Sequence, residues 1–147
     1  MRNAVVVLFS IGLVCACSGP MGPIAGGTLE GNPAAWPEDW AFTDDIDNVL
    51  LQTRPQEPYS VTTWAVTTNG NLYIAAANGE ATWVKNIAAD NAVIVSVNGE
   101  LYDATASIVT DREEIADVVQ AYVVKYDFDS QEDFVEEEGV LFRLSKP

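Results

Sequence analysis

The chain predicts a mainly β fold with short helices, an α+β arrangement, on three observations. Two Asn-Gly pairs, Asn69-Gly70 and Asn98-Gly99, each sit between runs of β-branched and aromatic residues. Asn-Gly is the preferred pair for a two-residue type I′ turn, because both central positions need positive φ. The flanking runs pair off naturally, Trp64–Thr68 with Leu72–Ala76 and Ala92–Val97 with Leu101–Ile108. Helical spacing, by contrast, is confined to short stretches: a turn and short helix after Asn78, and the segment that follows Thr110.

The elements follow in order. Arg2 precedes an apolar run, Ala4–Ala16, interrupted only by Ser10 and Gly12. A basic start and a short apolar run form a secretory signal; the run is too short for a stable membrane span. It ends Val14-Cys15-Ala16-Cys17-Ser18, which resembles a bacterial lipoprotein signal. That resemblance implies cleavage of residues 1–16 and acylation of Cys17. Cys15 is the other acceptor in frame, with Val14 less suited than Ala16 to precede the cleavage, and a plain secreted protein is the alternative. Ser18 after the cysteine, in place of an acid, implies an outer-membrane anchor facing the periplasm. Residues 17–35, rich in Gly and Pro and without periodicity, read as a flexible tether. Residues 36–147 form the domain.

Trp36, Trp40 and Phe42 are expected to close one end of the domain, since aromatics bury large areas. Asp44-Asp45-Ile46-Asp47 lacks the Gly and distal Glu of a calcium loop and reads as a solvated turn. Val49–Thr53 and Ser60–Thr68 are strands, separated by Arg54-Pro55-Gln56-Glu57-Pro58 because proline cannot donate to a ladder. Thr110 is the expected N-cap of a helix, with Glu113 completing a capping box. Ile115, Val118, Val119, Tyr122, Val123 and Tyr126 recur at helical spacing and predict a core-facing stripe. The acidic run from Asp127 to Glu138 reads as a solvated loop, and Val140–Leu144 as a closing strand.

Composition excludes several functions. Net charge is −15, and loss of a leader holding Arg2 makes it more negative still. Such a surface repels nucleic acid and free anions at long range. The chain has no histidine, and its 2 cysteines both lie in the leader. A disulfide framework is therefore excluded, and no nucleophile–base pair of the hydrolase kind is evident.

The order LY…NGEATWVKNIAADNAVIVSVNG…DREE…KY, closing with LFRLSKP, resembles the FMN-binding split-barrel proteins related to pyridoxamine-phosphate oxidase. The small members that use a reduced deazaflavin are the nearer likeness. Trp83, Lys85, Asn86, Lys125, Tyr126 and the last strand carry the resemblance. It implies a six-stranded antiparallel split β-barrel, a homodimer, and FMN or a deazaflavin as cofactor for oxidoreductase chemistry. Carried onto this chain, the implied cofactor-binding residues are Trp64, Asn78, Gly79, Thr82, Trp83, Lys85 and Asn86, with Thr63, Ala65, Ala76 and Ala77 beside them. Lys85 would neutralise phosphate, and Trp64 or Trp83 would pack on the ring. The chain departs from these relatives where they carry basic residues: Ala76-Ala77 and Glu80-Ala81 stand there instead. The second expectation is therefore a non-catalytic envelope module that holds a ligand or a protein and has lost the cofactor.

Overall fold

Both Asn-Gly pairs make the expected turns. Asn69 and Gly70 have φ of 51° and 76°, Asn98 and Gly99 of 51° and 83°, so all four occupy the region that a type I′ turn demands. The structure, a computed structural model, describes residues 18–129 and 139–147. It contains β1 (Asn32–Pro33), β2 (Asn48–Thr53), β3 (Tyr59–Thr68), β4 (Asn71–Ala76), β5 (Ala92–Val97), β6 (Glu100–Ile108) and β7 (Val140–Ser145). Helix α1 spans Thr82–Ala89, α2 spans Arg112–Tyr126, and a single 3₁₀ turn covers Ala41–Thr43. The signal, both cysteines and residues 130–138 of the acidic run lie outside the described residues.

Strands β2 to β7 close on themselves in the order β6-β5-β2-β3-β4-β7, with β7 returning to β6 and every pairing antiparallel. This is the expected six-stranded split barrel. Closure leaves no long strand edge open to pairing with another chain. The period of two sorts the side chains. Val49 and Leu51, Leu72 and Ile74, Val93, Val95 and Val97, Ala104 and Ala106, and Phe142 and Leu144 fill the interior. Val66 and Tyr73 face outward under α2 and join Val118 and Tyr122 in a second cluster. Helix α1 adds Trp83, Val84 and Ile87 to the interior cluster.

Trp40 is only 1% exposed and meets Trp36 edge-on at 5.0 Å and Tyr102 at 4.9 Å. Its indole N–H has no hydrogen-bond partner among the described residues, a cost of about 1–3 kcal/mol. Burying roughly 150–250 Å² of indole, at about 25 cal/mol per Å², contributes about 4–6 kcal/mol, so packing wins. Phe42 stacks on Trp40 at 5.6 Å but remains 48% exposed; of the three aromatics expected to close the barrel, it does so least.

Strand β3 changes partner along its length. Tyr59–Trp64 pair with β2, whereas Ala65–Thr68 pair with β4. On the other side Ala75 and Ala76 pair with β7 alone. The seam between Thr62–Trp64 and Ala75–Ala76 is thus unzipped, with one long contact across it, Thr63 Oγ1 donating to the Ala75 carbonyl at 3.5 Å.

At the change of partner the backbone is completed by α2. Ala65 N–H donates to Tyr126 Oη at 3.1 Å, and the Ala65 carbonyl accepts from Lys125 Nζ at 2.7 Å. Lys125 also donates to the Thr43 carbonyl at 2.9 Å, and Tyr126 Oη to that of Asp47 at 2.7 Å. Tyr122 Oη reaches the carbonyls of Trp64 and Tyr73 at 3.2 and 3.3 Å. Burial pulls the Lys125 pKa down, against the opposing pull of Asp44, Asp47 and Asp45. The acidic turn therefore supplies both carbonyls and charge to the clasp, and no cluster fit for a metal ion is found among the described residues.

Two expectations change. The tether is fastened over much of its described length: Gly26 exchanges backbone bonds with Ser60, Leu29 N–H donates to buried Gln52 Oε1 at 2.7 Å, and β1 pairs in parallel with β6. The close approach needs glycine, because a Cβ on Gly31 would collide with the Gly99 carbonyl and one on Gly26 with the Gly19 backbone. The N-cap of α2 is Asp111 rather than Thr110. Asp111 Oδ1 accepts from the N–H groups of Glu113 and Glu114 at 3.1 and 2.9 Å, and a carboxylate suits the positive helix end. The other end closes on Asp127, in the left-handed region at φ 56° and ψ 46°.

Asp111→Ala is expected to lower stability by about 1 kcal/mol, a fall of about 4 °C in melting temperature for a domain of this size. Thr110→Ala should leave the melting temperature nearly unchanged; equal losses would restore Thr110 as the cap. A second expectation concerns alkaline pH. Burial, then the bond to Glu114 and its charge, push the Tyr73 phenol up to about 12. Burial, then Glu100, do the same for Tyr102, also to about 12. A phenol raised in the fold stabilises it below its ordinary value of about 10, and that contribution is lost as pH rises towards 12. Melting temperature should therefore fall between pH 10 and 12, with a shallower fall in Tyr73→Phe. A flat profile to pH 12 would show that these phenols titrate as they do in the unfolded chain.

Candidate functional site

The unzipped seam opens into a cleft of about 800 Å³, within the usual range of roughly 300–1,000 Å³ for small-molecule sites. Thr62, Thr63 and Trp64 of β3 form one side, and Ala75, Ala76, Ala77 and Asn78 at the end of β4 form the other. Val140 and Leu141 of β7, Ile108 and Val109 at the end of β6, and Ile115 and Val119 of α2 complete the apolar walls. Ala81 and Trp83 close the end nearest α1. On the β4 side the alanines put only methyl groups into the wall, and a strand edge without a strand partner presents N–H and C=O groups.

Trp64 is held for display. It is 43% exposed, with one face stacked on Tyr126 at 4.6 Å and 16°. Phe128 meets it edge-on at 5.9 Å, and Tyr126 continues the stack onto Tyr122 at 5.7 Å. The residues that complete the β3 backbone thus also fix the orientation of the indole.

The sequence-derived candidates divide into two groups. Trp64, Asn78 and Trp83 line the cleft, together with Thr63, Ala76 and Ala77. Gly79, Thr82, Lys85 and Asn86 do not. Ala65 lies in the barrel core. Asn78 Oδ1 accepts from Glu80 N–H at 3.0 Å and shapes the turn into α1. Trp83 is 9% exposed and packs on Phe142 at 5.6 Å, so it is a wall of the barrel as well as of the cleft. Lys85 Nζ sits 2.7 Å from Glu80 Oε2, with both side chains exposed; its hydrogen bond and charge hold the Glu80 carboxyl below the usual carboxylate range. Asn86 is buried and donates from Nδ2 to Thr53 Oγ1 at 2.9 Å, an anchor of α1 to β2. Sequence reasoning missed Ile108, Val109, Ile115, Val119, Phe128 and Leu141.

Among the described residues, no lining side chain of the cleft is charged or titratable. The walls suit a flat ring, and the amide of Asn78, the threonine hydroxyls and the strand edges suit neutral polar atoms. They do not suit a phosphate, for which the cleft offers no cation. A haem would have no imidazole for its iron, because the chain lacks histidine. Among the described residues, the lining side chains supply no acid or base for proton transfer.

No known family pattern and no curated protein matches this sequence. Solved structures do match by shape. HutZ, a haem storage protein from Vibrio cholerae, shares 18% identity at a TM-score of 0.58, over 72% of this chain and 85% of its own. A candidate pyridoxamine 5′-phosphate oxidase from Listeria innocua shares 16% identity at a TM-score of 0.53, over 71% and 87%. An F420-H2-dependent reductase shares 19% identity at 0.56, over 68% and 95%. The chain therefore shares the split-barrel fold of these neighbours, whose names point to different uses.

Proposed function

We propose that this protein is a lipid-anchored envelope module that holds a flat, flavin-like ring in the seam between β3 and β4. One observation carries this reading: the cleft opens where β3 leaves β4, and Trp64 is stacked and half-exposed at its edge. A ring laid there would meet an aromatic face, alanine-lined walls and two strand edges. The protein's part is to bind, orient and partly desolvate the ring, while any redox chemistry would be supplied by the ring itself. The likeness to a deazaflavin-dependent reductase favours an oxidoreductase as the second reading, with the same cleft and the same residues. Homodimerisation belongs to that second reading.

Anchoring rests on the leader and its Cys17. In cells fed an alkyne fatty acid, wild type and Cys15→Ser should take up label and Cys17→Ser should not. Label lost only in Cys15→Ser would move the acylation site. For the cleft, full-length protein in detergent should quench riboflavin fluorescence on titration, and Trp64→Ala should weaken the affinity about tenfold, in line with base–aromatic stacking of about 1–3 kcal/mol. Saturating protein that leaves flavin fluorescence untouched would remove the ring-binding reading.

A further inference from the structure

The cleft departs from a phosphate-binding site in a specific way. Its walls contain no charged side chain among the described residues. Of the basic residues near its rim in sequence, Lys85 is engaged with Glu80 at 2.7 Å and does not line the cleft, and Arg112, between Val109 and Ile115, does not line it either. Lys125 is committed to the carbonyls of Thr43 and Ala65, and Arg143 to Glu114 at 2.8 Å. The whole chain carries −15. A phosphate ester brings about −1.5 to −2 at neutral pH, and a charge partly removed from water without a partner is strongly disfavoured.

What the seam does offer is neutral. Thr62–Trp64 pair with β2 alone and Ala75–Ala76 with β7 alone, so each has a second edge without a strand partner, on which the Trp64 carbonyl accepts from Tyr122 Oη and the Ala75 carbonyl has only the long contact from Thr63. An edge of alternating amide N–H and C=O groups complements a ligand edge of the same kind, as in a cyclic imide or a pyrimidinedione ring. Short alanine side chains let such a ring reach the backbone.

We infer that the cleft selects an uncharged, flat heteroaromatic ligand with an amide-type edge over the phosphorylated form of the same ring. This rests on the reading that the seam is the ligand site. Riboflavin and FMN share one ring and differ by the phosphate, so they separate the two ideas. Titrated against full-length protein in detergent at physiological salt, riboflavin should bind at least tenfold more tightly than FMN. Ala77→Arg, which adds a cation to the wall, should shift the ratio of FMN to riboflavin affinity at least tenfold in favour of FMN, whatever it does to the shared ring. FMN binding as tightly as riboflavin, or more so, would overturn the inference and leave the ring-binding reading intact. A ratio unmoved by Ala77→Arg would also overturn it, since charge would then not be the cause. Binding of neither flavin would overturn both.

Discussion

Every barrel strand must place its backbone N–H and C=O groups somewhere, and β3 meets this demand under difficulty because it changes neighbours midway. At Ala65 the strand has passed the end of β2 and has only begun its ladder with β4. Left bare and buried, its polar groups would cost about 1–3 kcal/mol each. Tyr126 and Lys125 meet Ala65 on both its N–H and its carbonyl, and Tyr122 reaches the carbonyl of Trp64. Helix α2 is therefore a substitute for a missing piece of strand, as well as a cover for the outer face of the sheet. The loop before β2 is drawn in by the same two side chains, through the carbonyls of Thr43 and Asp47.

This arrangement creates the cleft. If β3 and β4 stayed zipped beyond Ala65, the Trp64 and Ala75 backbones would be consumed by the sheet. Because the clasp holds Ala65 in place while the strands part above it, the opening exists without loss of the barrel. The stack of Trp64 on Tyr126 and Tyr126 on Tyr122 follows from the same spacing along α2. A rigid aromatic face beside two strand edges is a general surface for flat molecules. Among the described residues its walls carry no charge, which favours neutral molecules, and the acidic chain as a whole works in the same direction.

Much of the fold was legible in the residues. The Asn-Gly pairs named their turns, and the runs on either side of them named the strand pairs β3 with β4 and β5 with β6. The cap of α2 was misplaced by one residue because Thr110 and Asp111 are both competent caps, and only the extended Asp111 backbone decides between them. The docked segment before residue 35 was invisible, since it is held by backbone bonds and close glycine contacts that leave no side-chain pattern. For the cleft, Trp64, Asn78 and Trp83 came through the family resemblance, whereas Lys85 and Asn86 came with them but are engaged by Glu80 and Thr53. The seam itself had one available signal. Ten-residue β3 is longer than six-residue β4, so one hairpin cannot use it all. Tyr122 and Tyr126 fit a packing stripe equally well whether or not their hydroxyls complete a backbone, and Phe128 and Leu141 join the site only through tertiary closure.

The central claim is that the open seam is where the ligand sits, and backbone amide shifts test it most directly. In a two-dimensional NMR titration of isotope-labelled full-length protein with riboflavin, the amides of Thr63, Trp64, Ala75, Ala76 and Asn78 should move together and saturably. Those of Lys85 and Asn86 on α1 and of the β5–β6 hairpin should stay in place. Shifts centred on α1 instead, with the two seam edges unchanged, would contradict the account.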